Sequence, residues 1–204
     1  MTDKERAFYT QHIRERLTDW RYRHSVNVSK EAMRLAKKYG GDLHQAELAG
    51  LLHDVTKDVS KKEQLEMMTR WGLSFGVYEE HAPKLWHAVT GSLYVERVLH
   101  IDDQDVMNAI RYHTTGRAGM SLLEKIIYVA DCTSEERDYK GVDKIRKAAD
   151  VSLEAAMEEA LVASLQDRLD DHTPMHPDTV DAYNEIILRK QSSAAPVKES
   201  AKRK

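Results

Sequence analysis

"LAGLLHDVTKD", Leu48 to Asp58, decides how the rest of the chain is read. Its first half is an apolar helical run of Leu48, Ala49, Gly50, Leu51 and Leu52. It ends in an adjacent His53–Asp54 pair. An apolar face should exclude a carboxylate, because a buried ionised group costs several kcal/mol unless a partner charge or a metal compensates it. Either the pair is an ordinary helix end with solvated side chains, or a positive charge sits beneath it.

Outward from this stretch, the chain keeps helical spacing and shows little strand-like alternation. Helices are expected near 4–17, 20–39, 42–54, 60–71, 83–99, 103–113, 121–132, 141–147, 150–170 and 177–190. Ser60 with Glu63 and Ser121 with Glu124 read as capping boxes. Pro83 and Pro177 suit first-turn positions. Gly40–Gly41, Gly72 and Gly116 follow periodic runs, as stop signals do. The fold class is all-α, a single bundle-like domain over residues 1–191. The small, polar and basic stretch 192–204 reads as a disordered tail.

Composition narrows the function classes. At 204 residues the chain can bury a core without disulfides. A formal net charge of −3 provides no global field to attract nucleic acid, so a polyanionic substrate must be held by local cations. The single cysteine, Cys132, excludes a disulfide framework and a Cys-rich zinc site. It fits a reducing, cytoplasmic setting. The charged start "MTDKERAFYTQHIRERL" has no apolar signal core, and no run approaches a membrane span. Helices bearing Tyr and Trp leave room for a homodimer.

The placement of the histidines carries the chemistry. Positions three and four apart share a helical face. On that basis His24 joins the stripe Leu17, Trp20 and Val28, and His53 and Asp54 follow Ala49, Gly50 and Leu51. His87 precedes Gly91 and Tyr94, His113 completes Val106, Ala109 and Ile110, and Asp131 completes Leu123 and Ile127. A lone histidine on such a stripe is more often a hydrogen-bonded core residue than a ligand. The coincidence of His24, His53, Asp54 and Asp131 is harder to dismiss. Two imidazoles and two carboxylates, without sulfur, suit Fe, Mn, Co or Zn with positions left open for water.

"RYRHSVNVSKEAMRLAKKYG", "AELAGLLHDVTKD" and "IIYVADCTSEER" resemble the HD-domain metal-dependent phosphohydrolases, in which a His, a His-Asp doublet and a distant Asp lie on helices. With "LWHAVTGSLYVE", "AIRYHTTGRAGMSLLEKIIYVAD" and "HPDTVDAYNE", the chain looks like the branch of symmetrical dinucleoside-tetraphosphate hydrolases over residues 18–190. The resemblance implies metal binding by His24, His53, Asp54 and Asp131, with iron or another divalent transition metal. It implies catalytic roles for Asp54, Lys57, His87, His113 and Arg137. Substrate contacts are implied from these positions other than Asp54, together with His24, Thr114, Asp131 and the loop Pro174, Met175, His176 and Pro177. Ser134 stands where relatives would carry a proline, which puts the geometry of the following loop in question.

The implied reaction turns one dinucleoside tetraphosphate into two nucleoside diphosphates. A divalent ion lowers the pKa of a bound water and polarises a phosphoryl oxygen, which suits attack of metal-bound water on a central phosphorus. Lys57, three residues past Asp54, would face the same side and hold phosphate, or else be a solvated helix-end lysine. Arg137 would be a bidentate clamp, or else a surface partner of Glu135 or Glu136. His87 and His113 could donate protons, touch phosphate or hold a second metal. Thr114 and Thr115 would add hydroxyl donors near the phosphates. Alternatives are an HD phosphohydrolase for mononucleotides or (deoxy)nucleoside triphosphates, and a non-catalytic nucleotide-binding helical domain. Nucleic-acid and membrane partners are not expected.

Overall fold

The computed structural model describes residues 1–74 and 76–194. The chain runs through α1 (Asp3–Arg16), α2 (Asp19–Tyr39), α3 (Leu43–Leu52), α4 (Lys61–Arg70), α5 (Val77–His81), a 3-10 turn (Pro83–Leu85), α6 (Trp86–Arg97), α7 (Gln104–Tyr112), α8 (Leu122–Thr133), α9 (Val142–Val151), α10 (Leu153–Asp170) and α11 (Pro177–Ala194). No strand is present among the described residues, and none of their helices is long and apolar enough to cross a membrane.

Helices α2, α3, α7 and α8 form the centre. α3 packs on α2, α7 and α8, and α2 packs on α8. α6 lies on α7, and α9 and α10 close the bundle behind α8, with α11 on α10. α3 is apolar nearly all round, and every residue from Ala46 to Leu52 is buried. A helix of that kind belongs inside a domain rather than on its surface. α8 buries Leu123, Ile126, Ile127, Tyr128, Val129 and Ala130.

Local signals act where the sequence puts them. Ser60–Glu63 and Ser121–Glu124 both close as reciprocal capping boxes. Gly40, with φ +76°, takes the left-handed conformation that ends α2. Several expected boundaries move. α3 stops at Leu52, so His53 caps the helix and Asp54 lies beyond it, in successive turns closed by Val55 N–H to Leu52 C=O (3.0 Å) and Lys57 N–H to Asp54 C=O (2.8 Å). His113 likewise caps α7. Buried polar side chains therefore emerge where backbone carbonyls at helix ends can hold them. The expected helix 83–99 splits at Trp86 into a 3-10 turn and α6, and the short α5 precedes it. α9 runs on to Val151, and Ser152 then caps α10 by accepting from Ala155 N–H. α11 continues to Ala194, while residues 195–204 of the expected tail lie outside the described residues. Trp20 is 45 % exposed and does not join the buried stripe of α2.

Gly50 sets how close α3 comes to α2. A Cβ added there would meet Ser29 Cα at 2.7 Å, which is backbone and cannot swing aside. Ser29 Oγ donates to Glu47 C=O (2.8 Å) at the same crossing. Gly50→Ala therefore forces the helix that carries His53 and Asp54 away from the one that carries His24. The expected cost is about 2 kcal/mol, or a fall in Tm of roughly 4–8 °C for a chain of this size, read by thermal denaturation. An unchanged melting temperature would show that the crossing has slack.

Candidate metal centre

Three imidazoles have one nitrogen fixed and the other turned inward. His53 Nδ1–H donates to Gly50 C=O (2.8 Å), and His113 Nδ1–H donates to Ile110 C=O (2.7 Å). His24 Nδ1–H donates to Glu136 Oε1. Each bond assigns the proton to Nδ1 and leaves a lone pair on Nε2. Two of those lone pairs face each other, with His24 Nε2 and His53 Nε2 3.2 Å apart, and His113 Nε2 lies 3.1 Å from His87 Nε2.

Asp54 stands between the two pairs. Its Oδ2 is 3.7 Å from His24 Nε2 and 3.5 Å from His53 Nε2. Its Oδ1 is 3.2 Å from His87 Nε2 and 3.6 Å from His113 Nε2. Asp131 Oδ1 completes the first group, 3.0 Å from His24 Nε2 and 3.9 Å from His53 Nε2. Residues from α2, the end of α3, α6, the end of α7 and α8 thus meet in one buried place.

Charge states follow from this burial. Burial pulls His53 down to about 3 and His87 down to about 4, so both imidazoles are neutral at neutral pH. Burial would lower His24 as well, but the neighbouring carboxylates of Asp131 and Glu136 outweigh that and raise it. Burial would lift both aspartates. For Asp131 the Arg137 guanidinium outweighs that and holds the carboxyl well below the usual carboxylate range.

Cations flank the cluster. Arg21 Nη1 donates to Asp54 Oδ2 (2.7 Å). Arg137 donates from Nε to Asp131 C=O (2.8 Å) and from Nη2 to Asp131 Oδ1, so it pairs with neither Glu135 nor Glu136. Lys57 Nζ rests against the His87 ring, 3.2 Å from Nδ1 and 3.1 Å from Nε2. Burial lowers the Lys57 ammonium from its ordinary value. Helical geometry was not what turned it inward; the tight turn from Asp54 to Lys57 does so.

A cavity of about 430 Å³ opens beside Lys57. Thr114, Thr115, Pro174, Met175 and His176 line it, as do Lys61, Lys84 and Arg168. Pro177 does not; it opens α11. The buried hydroxyls of Thr114 and Thr115 have no hydrogen-bond partner, so the cavity wall offers two unmet donors.

Two features were not singled out from sequence. Glu136 is a hub, accepting from His24, from Ser134 Oγ (2.7 Å) and from Asn27 Nδ2 (2.8 Å). Burial would raise its carboxyl, but those bonds hold it at about 2. The serine that replaces an expected proline is therefore used, because its hydroxyl fixes the carboxylate that orients His24. Arg21 is the other, and its three-residue spacing ahead of His24 on one helix face was the available signal.

An all-α bundle that gathers an isolated histidine, a His-Asp doublet and a distant aspartate from separate helices is the arrangement of the HD class of proteins. The HD domain profile matches residues 21–136, and the chain belongs to that family. It is similar to the symmetrical bis(5'-nucleosyl)-tetraphosphatase of Bacillus subtilis (strain 168), at 38% identity over 86% of this chain and 94% of that one. The protein of the same description from Halalkalibacterium halodurans is 40% identical over 88% of this chain and 95% of that one. A crystal structure from Clostridium acetobutylicum, described as a predicted HD superfamily hydrolase involved in NAD metabolism, superposes with TM-score 0.87 at 39% identity. That match covers 90% of this chain and 97% of the other.

Family membership brings dependence on a divalent metal, and the residues here fit one. Ligand atoms of His24, His53 and Asp131 lie within 4.8 Å of one another, as do those of His53, Asp54 and His113. Asp54 Oδ1 is buried and has no hydrogen-bond partner, although two imidazole nitrogens lie nearby. A buried carboxylate oxygen without a hydrogen-bond partner is uncompensated until a cation enters. Glu136→Gln removes the charge that orients His24 while keeping its shape. Affinity for the divalent ion should fall roughly 10–100-fold in a chelator competition. An unchanged affinity would show that His24 needs no such partner.

Proposed function

We propose that this chain is a metal-dependent hydrolase that cleaves dinucleoside tetraphosphates, diadenosine tetraphosphate first among them, symmetrically into two nucleoside diphosphates. The observation that carries the reading is the buried convergence of His24, His53, Asp54 and Asp131 beside a nucleotide-sized cavity with unmet hydroxyl donors. Likeness over nearly full length to two proteins described as symmetrical tetraphosphatases supports the substrate.

In this reading His24, His53, Asp54 and Asp131 hold the divalent ion, with iron the first choice and manganese, cobalt and zinc compatible with the same donors. A cation held there would supply Lewis acidity, lowering the pKa of a bound water and polarising a phosphoryl oxygen. His87 and His113 favour a second cation over proton donation. His87 is neutral at physiological pH, and His113 keeps its proton on the nitrogen turned away, toward Ile110. Asp54 then serves both groups, one oxygen to each.

The remaining residues position and neutralise. Lys57 sits at the join of cluster and cavity, where a point charge meets the phosphate chain. Thr114 and Thr115 donate hydroxyl hydrogens to phosphate oxygens. Arg137, already aligned on Asp131, supplies donors at the other end of the cluster. Pro174, Met175 and His176 wall the nucleoside end of the cavity. The cytoplasm is the compartment this reading implies.

Purified protein supplied with a divalent metal should convert diadenosine tetraphosphate to ADP alone, as read by chromatography. AMP with ATP among the products would sink the symmetrical reading. Stripping the metal with a chelator should abolish turnover, and re-adding it should restore it. Asp54→Ala removes the shared carboxylate and should lower kcat by roughly 10³-fold. Full activity in that variant would rule out the cluster as the catalytic centre.

A further inference from the structure

The cavity accounts for one side of the cluster only. Trp20, Arg21, Asp131 and Arg137 are not among the described residues that line it. Asp54 defines the axis. Its Oδ1 faces His87 and His113, hence Lys57 and the cavity. Its Oδ2 faces His24, His53 and the Arg21 guanidinium. A substrate with a base at each end and its scissile bond in the middle needs binding surface on both sides.

On the Oδ2 side an aromatic ring is left in water. Trp20 is 45 % exposed, yet it lies nearly parallel to the buried His24 ring, with centroids 5.4 Å apart and planes 14° apart. The Arg21 guanidinium carbon is 4.8 Å from the centroid of the same indole. Arg21 meets Asp54 through Nη1, while its Nε is buried without a partner. A cation with an unmet N–H, next to an exposed indole at the edge of a phosphate-cleaving centre, has the two chemistries of a nucleotide, anion and aromatic face.

We propose that Trp20 and Arg21 form the subsite for the second nucleotide of the dinucleoside tetraphosphate. The base stacks on the exposed indole, and the attached phosphate meets Arg21 and Arg137. The nucleotide on the other side of the cut occupies the Lys57 cavity. This assignment rests on the tetraphosphatase reading above. It explains why the largest aromatic residue on α2 stays partly out of the core: its exposed part is a platform.

The test compares a ligand that spans both sides with one that fills the cavity alone. Calorimetry on the metal-loaded protein would measure a non-hydrolysable methylene analogue of diadenosine tetraphosphate and, separately, ADP. Trp20→Ala should weaken the analogue roughly tenfold, the worth of one base stack, and leave ADP within about twofold. Trp20→Phe should recover most of the loss. Arg21→Lys, which keeps the charge facing Asp54, should weaken the analogue about threefold through loss of the planar fork. Metal content should equal that of the wild type in the Trp20 variants. Equal weakening of both ligands, no weakening of either, or loss of metal would overturn the subsite and leave Trp20 as packing for His24. Those results would leave the tetraphosphatase reading standing so long as the wild type yields only ADP. Failure of the wild type to yield ADP would remove that reading and this one together.

Discussion

Everything in this molecule is organised around lone pairs that face one another with no proton between them. His24 and His53 present Nε2 to each other at 3.2 Å because their Nδ1 protons are committed elsewhere. Asp54 adds carboxylate oxygens to the same buried space, and one of them has no hydrogen-bond partner. In a dry interior such an array is unfavourable by itself. A divalent cation reverses the sign of every one of these interactions. The geometry is thus held by the surrounding helices against its own repulsion, and it is ready-made for the ion.

The holding is done by backbone carbonyls and by close helix packing. Gly50 and Ile110, in the last turns of α3 and α7, accept the Nδ1 protons of His53 and His113 from within the same turn. Those carbonyls are among the four that every helix leaves unbonded at its end, so the site uses acceptors that would otherwise need water. His24 sits mid-helix, where carbonyls are occupied, and so it relies on a distant side chain, Glu136, fixed in turn by Ser134 and Asn27. The absence of a side chain at Gly50 lets α3 lie against Ser29 and brings the two halves of the first ligand group together.

The overall charge of −3 hides a local reversal. Arg21, Lys57 and Arg137 ring a centre whose own carboxylates are held ionised. Lys57 adjoins the cavity, while the two arginines lie on the carboxylate faces away from it. A polyanion drawn to this ring meets cations on both sides of the cluster, which suits cleavage in the middle of a chain better than at its end.

Periodicity alone determined that the chain is helical, and it identified the inward stripes bearing His24, His53, Asp54, His87, His113 and Asp131. That was possible because a polar residue on an apolar stripe violates a local rule, and the violation can be read without coordinates. The cap signals at Ser60, Ser121 and Gly40 were legible for the same reason, since they act within one turn. The early end of α3, the break before α6 and the exposure of Trp20 were not, because periodicity does not register where packing or an end cap wins over propensity. Nor could spacing alone prove that positions 24, 53, 54 and 131 meet. Only tertiary structure decided that they converge, that Glu136 accepts from His24 Nδ1–H, and that Asp54 divides its oxygens between two histidine pairs. Contacts such as that of His24 with Glu136, 112 positions apart, depend on how helices cross, and no local pattern encodes that.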